Sequence, residues 1–375
     1  MMKQLTSIMK KCNEVYLFYI GYFILLLVEM WNNLPIVRNN HNLLILLGLA
    51  LIVIFNIITI VKQKQIYRKK ENIFFLLIAI LCFFCYLFSK NFTILKYAII
   101  MFSFINLNFE TFIKTDLKMK ILLFVSVFLL YMGNALIYNE FSREDGSMRY
   151  ALGFNHPNTL GMYLMMISLE FLYIKRNDLK WYYFPLIIFI ILFIMIIPQS
   201  RTSAIAIIIY LGYLIFRKWI IKILNNKVIR NILLWIVPIL TLCSLGLTFG
   251  YQKGLFIRLN DILSDRLNYY HGFLASYDVT LFGTVWNEKL LRVTLDNSYI
   301  FLLLQFGILI YLIFTLISIK GLRKIINMKN YDLFIILEIL FLYGMMETTM
   351  LNVTMNPFLI GLSLWLQNKG GEQNE

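Results

Sequence analysis

Arg201 stands between two apolar blocks, IILFIMIIPQ and TSAIAIIIY, where an unpaired charge costs about 2.5–3.5 kcal/mol on insertion scales. Something must compensate it: snorkelling to an interface, a carboxylate partner such as Glu347, or an anionic ligand. Guanidinium suits the last role because it stays charged when partly buried and presents paired planar donors to oxyanions. Arg258 and Arg266 are eight residues apart, close to two helical turns, so one helix through both carries two cations along one face. Such a charge run is as readily solvated or turned to lipid. His156 and His271 can each accept a hydroxyl proton near neutral pH, although a lone histidine is more often structural. Asp296 and Glu347 are rival bases, each a carboxylate at the edge of an apolar stretch. Asp296 reads equally as the N-cap of the helix that follows it, beside Asn297, and Glu347 as the counter-ion of Arg201. Asn155, Asn158 and Asn297 can hydrogen-bond hydroxyls or oxyanions, while Pro157 and Asn158 also make an ordinary helix start.

The elements that carry these residues are membrane spans. Of 375 residues 60% are apolar and only 15% charged, and mean hydropathy is +0.73, where a soluble domain is about a quarter charged. The apolar residues come in long blocks, near 15–30, 43–61, 73–89, 92–109, 120–138, 157–174, 181–197, 202–216, 231–250, 297–318, 333–347 and 353–366. The sequence therefore predicts an all-α polytopic integral membrane protein of about twelve transmembrane helices. Roughly two thirds of the 35 basic residues fall in alternate connecting segments, among them Lys114, Lys118 and Lys120. This places both termini in the cytoplasm. The net charge of +15 follows from that bias, with inner-face lysines on anionic lipid, and requires no nucleic-acid partner. Lys10 and Lys11 precede an apolar run with no small-residue cleavage site, so the first span reads as retained. Cys12, Cys82, Cys85 and Cys243 fit neither a disulfide framework nor a zinc site. Glu29, Lys96, Glu170 and Glu338 lie in or beside apolar stretches. Glu29 and Lys96 are both expected toward the outside and are read as an ion pair.

Two outside segments are long, 139–156 and the 46-residue 251–296. The second spaces Leu255, Leu259, Ile262, Leu263, Leu267 and Tyr270 as an amphipathic helix lying on the membrane surface. Tyr269, Tyr270, Tyr277 and Trp286 offer rings to stack on sugars or to sit at the bilayer interface.

The stretch RYALGFNHPNTLGMYL at 149–164 resembles a signature of bacterial Wzy-type O-antigen, capsular and exopolysaccharide polymerases. SRTS at 200–203, SDRLNYYHGFLASYDVTLFG at 264–283, DNSYIFLLLQFGIL at 296–309, then Glu347 and Asn352 follow in family order. The resemblance spans residues 149–352; residues 1–148 match only as hydrophobic spans, within a single membrane domain of 1–375. It implies an enzyme that moves a growing chain from undecaprenyl diphosphate onto the next lipid-linked repeat, outside the cytoplasmic membrane and without cofactor or metal. A chain-length regulator and a flippase of the same pathway are the implied partners. Arg201 and Arg266 would hold the donor diphosphate, with Arg258 and Arg149 as weaker candidates. His271 ranks first as general base before Asp296 and Glu347, and His156 stands where the family often has Asn. O-antigen ligases share the fold, and a lipid-linked sugar flippase is the rival from another class.

Overall fold

The computed structural model describes residues 2–35, 41–62, 69–136, 140–142, 146–252, 254–285 and 294–366. Trp286 and parts of both long outside segments lie outside these residues. The described chain is mostly helical and falls into two units, Met1–Lys69 with Ile99–Ile215, and Lys70–Ala98 with Phe216–Glu375. Among the described residues three helices are long and apolar enough to cross a membrane alone, Glu14–Asn32, Asn42–Lys62 and Ser298–Asn327; counting two bent pairs raises this to five.

In the first unit, α1 (Met2–Asn32) packs on α2 (Asn42–Lys62), and α5 (Phe109–Met132) packs on α6 (Pro157–Lys175). α7 (Tyr183–Ile196) and α8 (Arg201–Ile215) complete the unit, and α4 (Thr93–Ser103) straddles its boundary. Edge-to-face rings, Phe104, just past α4, on Phe112 at 4.7 Å and Tyr22 on Phe112 at 5.0 Å, pack α1 and α5 together, an arrangement that suits the aromatic quadrupole.

Lys120, read from sequence as a connector residue, is instead fully buried. Its ammonium lies 2.6 Å from both Asp116 Oδ2 and Glu170 Oε1, and Tyr22 donates to Asp116 Oδ1 at 2.8 Å. Asp116 and Lys120 are one helical turn apart, so hydropathy alone scores them as an interruption; only the packing of α6 brings Glu170 to them. Lys96 belongs to the second unit and Glu29 to the first. Lys96 Nζ donates to Thr354 Oγ1 at 3.3 Å.

The segment between α5 and α6 departs from pure helix. β1 (Glu140–Ser142) and β2 (Met148–Tyr150) pair antiparallel, Phe141 opposite Arg149. The second unit comprises α3 (Lys69–Ser89), α9 (Arg217–Leu224), α10 (Lys227–Leu234), α11 (Ile236–Gly250), α12 (Leu255–Ile262) and α13 (Arg266–Ser276), then α14 (Ser298–Phe301), α15 (Gly307–Asn327) and α16 (Tyr331–Tyr343). A π-helical stretch, Leu302–Phe306, joins α14 to α15. The loop 280–284 fills the break it leaves: Ile308 N bonds Thr280 O and Thr284 N bonds Leu304 O. Gly283 and Gly307 both have positive φ, and a Cβ at Gly283 would stand 2.0 Å from Gln305 O. Only glycine permits this approach. Backbone freed by the break is thus re-paired within the protein, as apolar surroundings demand.

Candidate functional site

The surface helix expected through Arg258 and Arg266 is two helices. Ser264 and Asp265 both take left-handed backbone, φ 56° and 61°, which ends α12 and restarts the chain as α13. The two arginines therefore do not share a helical face. Asn260 makes the break possible, because its Oδ1 accepts from Leu267 N at 2.9 Å and Asn268 N at 3.4 Å, and its Nδ2 donates to Asp265 Oδ1 at 2.6 Å. It satisfies the first free amides of α13 from outside the helix. Leu267, Tyr270 and Phe273 then dock α13 onto Leu295, Ile300 and Leu304.

This docking delivers Arg266 between two carboxylates, Asp296 Oδ2 at 3.5 Å and Glu347 Oε1 at 3.7 Å. The same guanidinium donates to the carbonyl of Met346. Burial works against its charge, but Asp296 and Glu347 outweigh burial and lift it above its ordinary value. Tyr270, one turn along α13 on the same face, donates to Asp296 O at 2.8 Å. Burial chiefly, against the opposing pull of Arg266, raises the Tyr270 phenol above its ordinary 10.0. It stays a neutral donor.

Two chain segments hold the carboxylates in register. Asn297, rather than Asp296, caps α14, accepting from Tyr299 N at 3.0 Å and Ile300 N at 3.1 Å. Its amide group donates to Met345 O and Ser244 Oγ, both at 3.1 Å. Ser298 N donates to Gly344 O at 2.7 Å and Ser298 Oγ to Glu347 O at 2.5 Å. Asn297 is 2% exposed and spends its hydrogen bonds on this stitch. His271 lies five residues beyond Arg266, about 140° round the helix, and packs its ring 5.1 Å from Tyr251. Arg258 is exposed and, among the described residues, its side chain meets no hydrogen-bond or ionic partner.

The other candidates belong to the first unit. Arg149 donates to Pro198 O at 2.9 Å and to Asn158 Oδ1. His156 caps α6, its Nδ1 accepting from Asn158 N at 3.1 Å. Asn155 is anchored through N to Asn33 O at 2.8 Å and through Nδ2 to Asn32 O at 3.2 Å. Gly161, one turn into α6, lies against Ser200, where a Cβ would come 2.3 Å from Ser200 Cβ. The HPNTLG and SRTS stretches are therefore in direct contact. Arg201, at the start of α8, is exposed with no ionic or hydrogen-bond partner among the described residues. Below this cluster an apolar pocket of about 240 Å³ is lined by Phe124, Phe154, Leu160, Phe189 and Phe193.

Sequence reasoning found Arg266, Asp296 and Glu347 singly but not as one cluster. It missed Asn260 and Ser298, and it read Tyr270 only as an aromatic surface. The SDR turn and the DNS triplet were the available signals for a helix break and a cap. A neighbouring cation favours the charged form of a carboxylate, and an ionised carboxylate within reach of a hydroxyl can take its proton. Among the described residues, no three His, Cys, Asp or Glu side chains converge to hold a metal ion. Set against models of known protein families, characterised proteins and solved structures, the chain matches none.

Proposed function

We propose that this protein is a membrane glycosyltransferase that polymerises undecaprenyl-diphosphate-linked oligosaccharide repeats at the outer face of the cytoplasmic membrane. It does so in a fold of about twelve spans with both termini cytoplasmic and the segment 251–296 outside. The supporting observation is the cluster of Arg266, Asp296 and Glu347, which joins three stretches where the chain resembles Wzy-type polymerases. Asp296, 28% exposed against 11% for Glu347, is the general base. It takes the proton of the acceptor sugar hydroxyl, whose oxygen attacks the anomeric carbon from the face opposite the diphosphate. The C–O bond to diphosphate breaks with inversion, and the diphosphate departs with the bonding pair.

Arg266 serves the reaction by holding both carboxylates aligned; with two acidic groups already beside it, it is a poor first partner for a diphosphate. Arg258, in the same unit as the cluster, exposed and unpaired among the described residues, is a guanidinium available to an anion. Removing one preorganised electrostatic group costs about 2.7–4 kcal/mol of transition-state stabilisation elsewhere.

The test is to incubate purified protein in lipid with a synthetic undecaprenyl-diphosphate repeat unit and resolve products by length. A ladder of lipid-linked chains, lost in Asp296→Asn and Arg266→Ala, is expected. No ladder with any of several authentic repeats overturns the polymerase reading. Chains transferred onto a different acceptor would identify a ligase. One observation favours transport instead, the buried triad of Lys120, Asp116 and Glu170, since intramembrane carboxylates serve as proton relays in transporters. Movement of lipid-linked sugar across vesicles with its linkages intact would establish that reading.

A further inference from the structure

Between Phe216 and Trp235 every charged residue is basic: Arg217, Lys218, Lys222, Lys227 and Arg230. The stretch folds as α9 and α10, joined by a two-residue turn that Asn226 closes by accepting from Val228 N at 2.9 Å. Each helix keeps one leucine buried, Leu224 and Leu234, with Ile220, Ile221, Ile229 and Leu233 half-buried, and exposes other large apolar side chains. Trp219 is 72% exposed and Val228 67%, and Ile223, Ile232 and Trp235 are each more than half exposed. α10 meets α11 at a bend of 63°, so it departs from the axis of the apolar helix it precedes.

The pair is held in place. Arg217 bridges to Asp332 at 2.5 Å and Tyr331 donates to Asn225 Oδ1 at 3.3 Å, which fixes the start of α9 and the turn to the beginning of α16. Four cations remain, Lys218, Lys222, Lys227 and Arg230, interleaved with exposed tryptophan, isoleucine and valine. Water alone would account for the cations but not for the apolar side chains. A hydrophobic core would account for the reverse. A surface that is apolar below and anionic above accounts for both, with the apolar residues at the acyl boundary and the cations at phosphate level.

We propose that α9 and α10 form an interfacial clamp that docks on anionic phospholipid headgroups, with Lys218, Lys222, Lys227 and Arg230 reading their charge. Trp219 and Trp235 anchor the clamp at the depth where indole is most favoured. The clamp is independent of the glycosyl-transfer reading, since no residue of the Arg266 cluster takes part.

The test uses the full-length protein in nanodiscs of phosphatidylcholine alone and of phosphatidylcholine with phosphatidylglycerol. Amide hydrogen exchange across 217–234 is the readout. Exchange should slow on the order of tenfold in the anionic discs, since each cation near the surface adds to the attraction. Molar salt should erase the difference by screening, and Lys218→Gln, Lys222→Gln, Lys227→Gln and Arg230→Gln together should abolish it. Equal exchange in both discs at low salt overturns the proposal. So does protection that appears only when an acidic protein is added to neutral discs, which would make the partner a protein. Should the fourfold variant fold poorly, the salt titration of the native protein decides alone.

Discussion

Replacing Lys120 by methionine removes the only cation from a cluster in which Lys120, Asp116 and Glu170 all have side chains with no exposure to solvent. Both carboxylates approach its ammonium at 2.6 Å, so each loses this partner, while Tyr22 still donates to Asp116. Breaking a buried ion pair from one side costs about 3–5 kcal/mol, because the charge left behind is neither hydrated nor paired. That corresponds to roughly two to four orders of magnitude in the folding equilibrium. Lys120→Met should lower thermal stability in nanodiscs steeply. Adding Asp116→Asn and Glu170→Gln, which removes the acidic groups left without the ammonium at constant shape, should recover most of the loss. The cycle separates a charge effect from a packing effect, since methionine nearly matches the volume of the lysine stem. Stability of Lys120→Met within about 1 kcal/mol of the native protein, well below the 3–5 expected, would refute the reasoning. So would a triple variant no more stable than the single one.

Asp296→Asn should abolish polymer formation while Glu347→Gln leaves a reduced rate, because the more exposed carboxylate is the base; product-length analysis of both variants decides, and the reverse order would exchange their roles. Gly161→Ala places a Cβ against Ser200 and should destabilise the first unit by about 1–3 kcal/mol, with Ser200→Gly restoring thermal stability. Burial holds the Tyr270 proton more tightly in the folded protein than in the unfolded chain. Its contribution to stability is therefore full below the ordinary value of 10.0 and is lost as pH rises above it. A difference titration of phenolate absorbance against Tyr270→Phe should show no step before alkaline unfolding, and a step near the ordinary value would contradict this.

Composition alone made this a helical membrane protein, because hydrophobic blocks of span length have no other solvent that suits them. Candidate residues were equally legible one at a time: Arg266, Asp296 and Glu347 are chemically conspicuous wherever they occur in an apolar chain. Their convergence was not legible. It depends on a helix break at Ser264 and Asp265, on the reach of Asn260 across that break, and on the stitch from Asn297 and Ser298 to the carbonyls of residues 344–347. Periodicity through Leu255–Tyr270 reads straight over such a break, since two left-handed residues leave the hydrophobic spacing almost unchanged. Lys120 shows the same limit from the other side. A positive charge near a span end is a topology signal in one dimension, and only the third element, α6 with Glu170, turns it into a buried ion cluster. Residue type gave the chemistry available to this chain. Which groups share that chemistry was decided by long-range packing, because contacts between residues eighty positions apart leave no trace in local spacing.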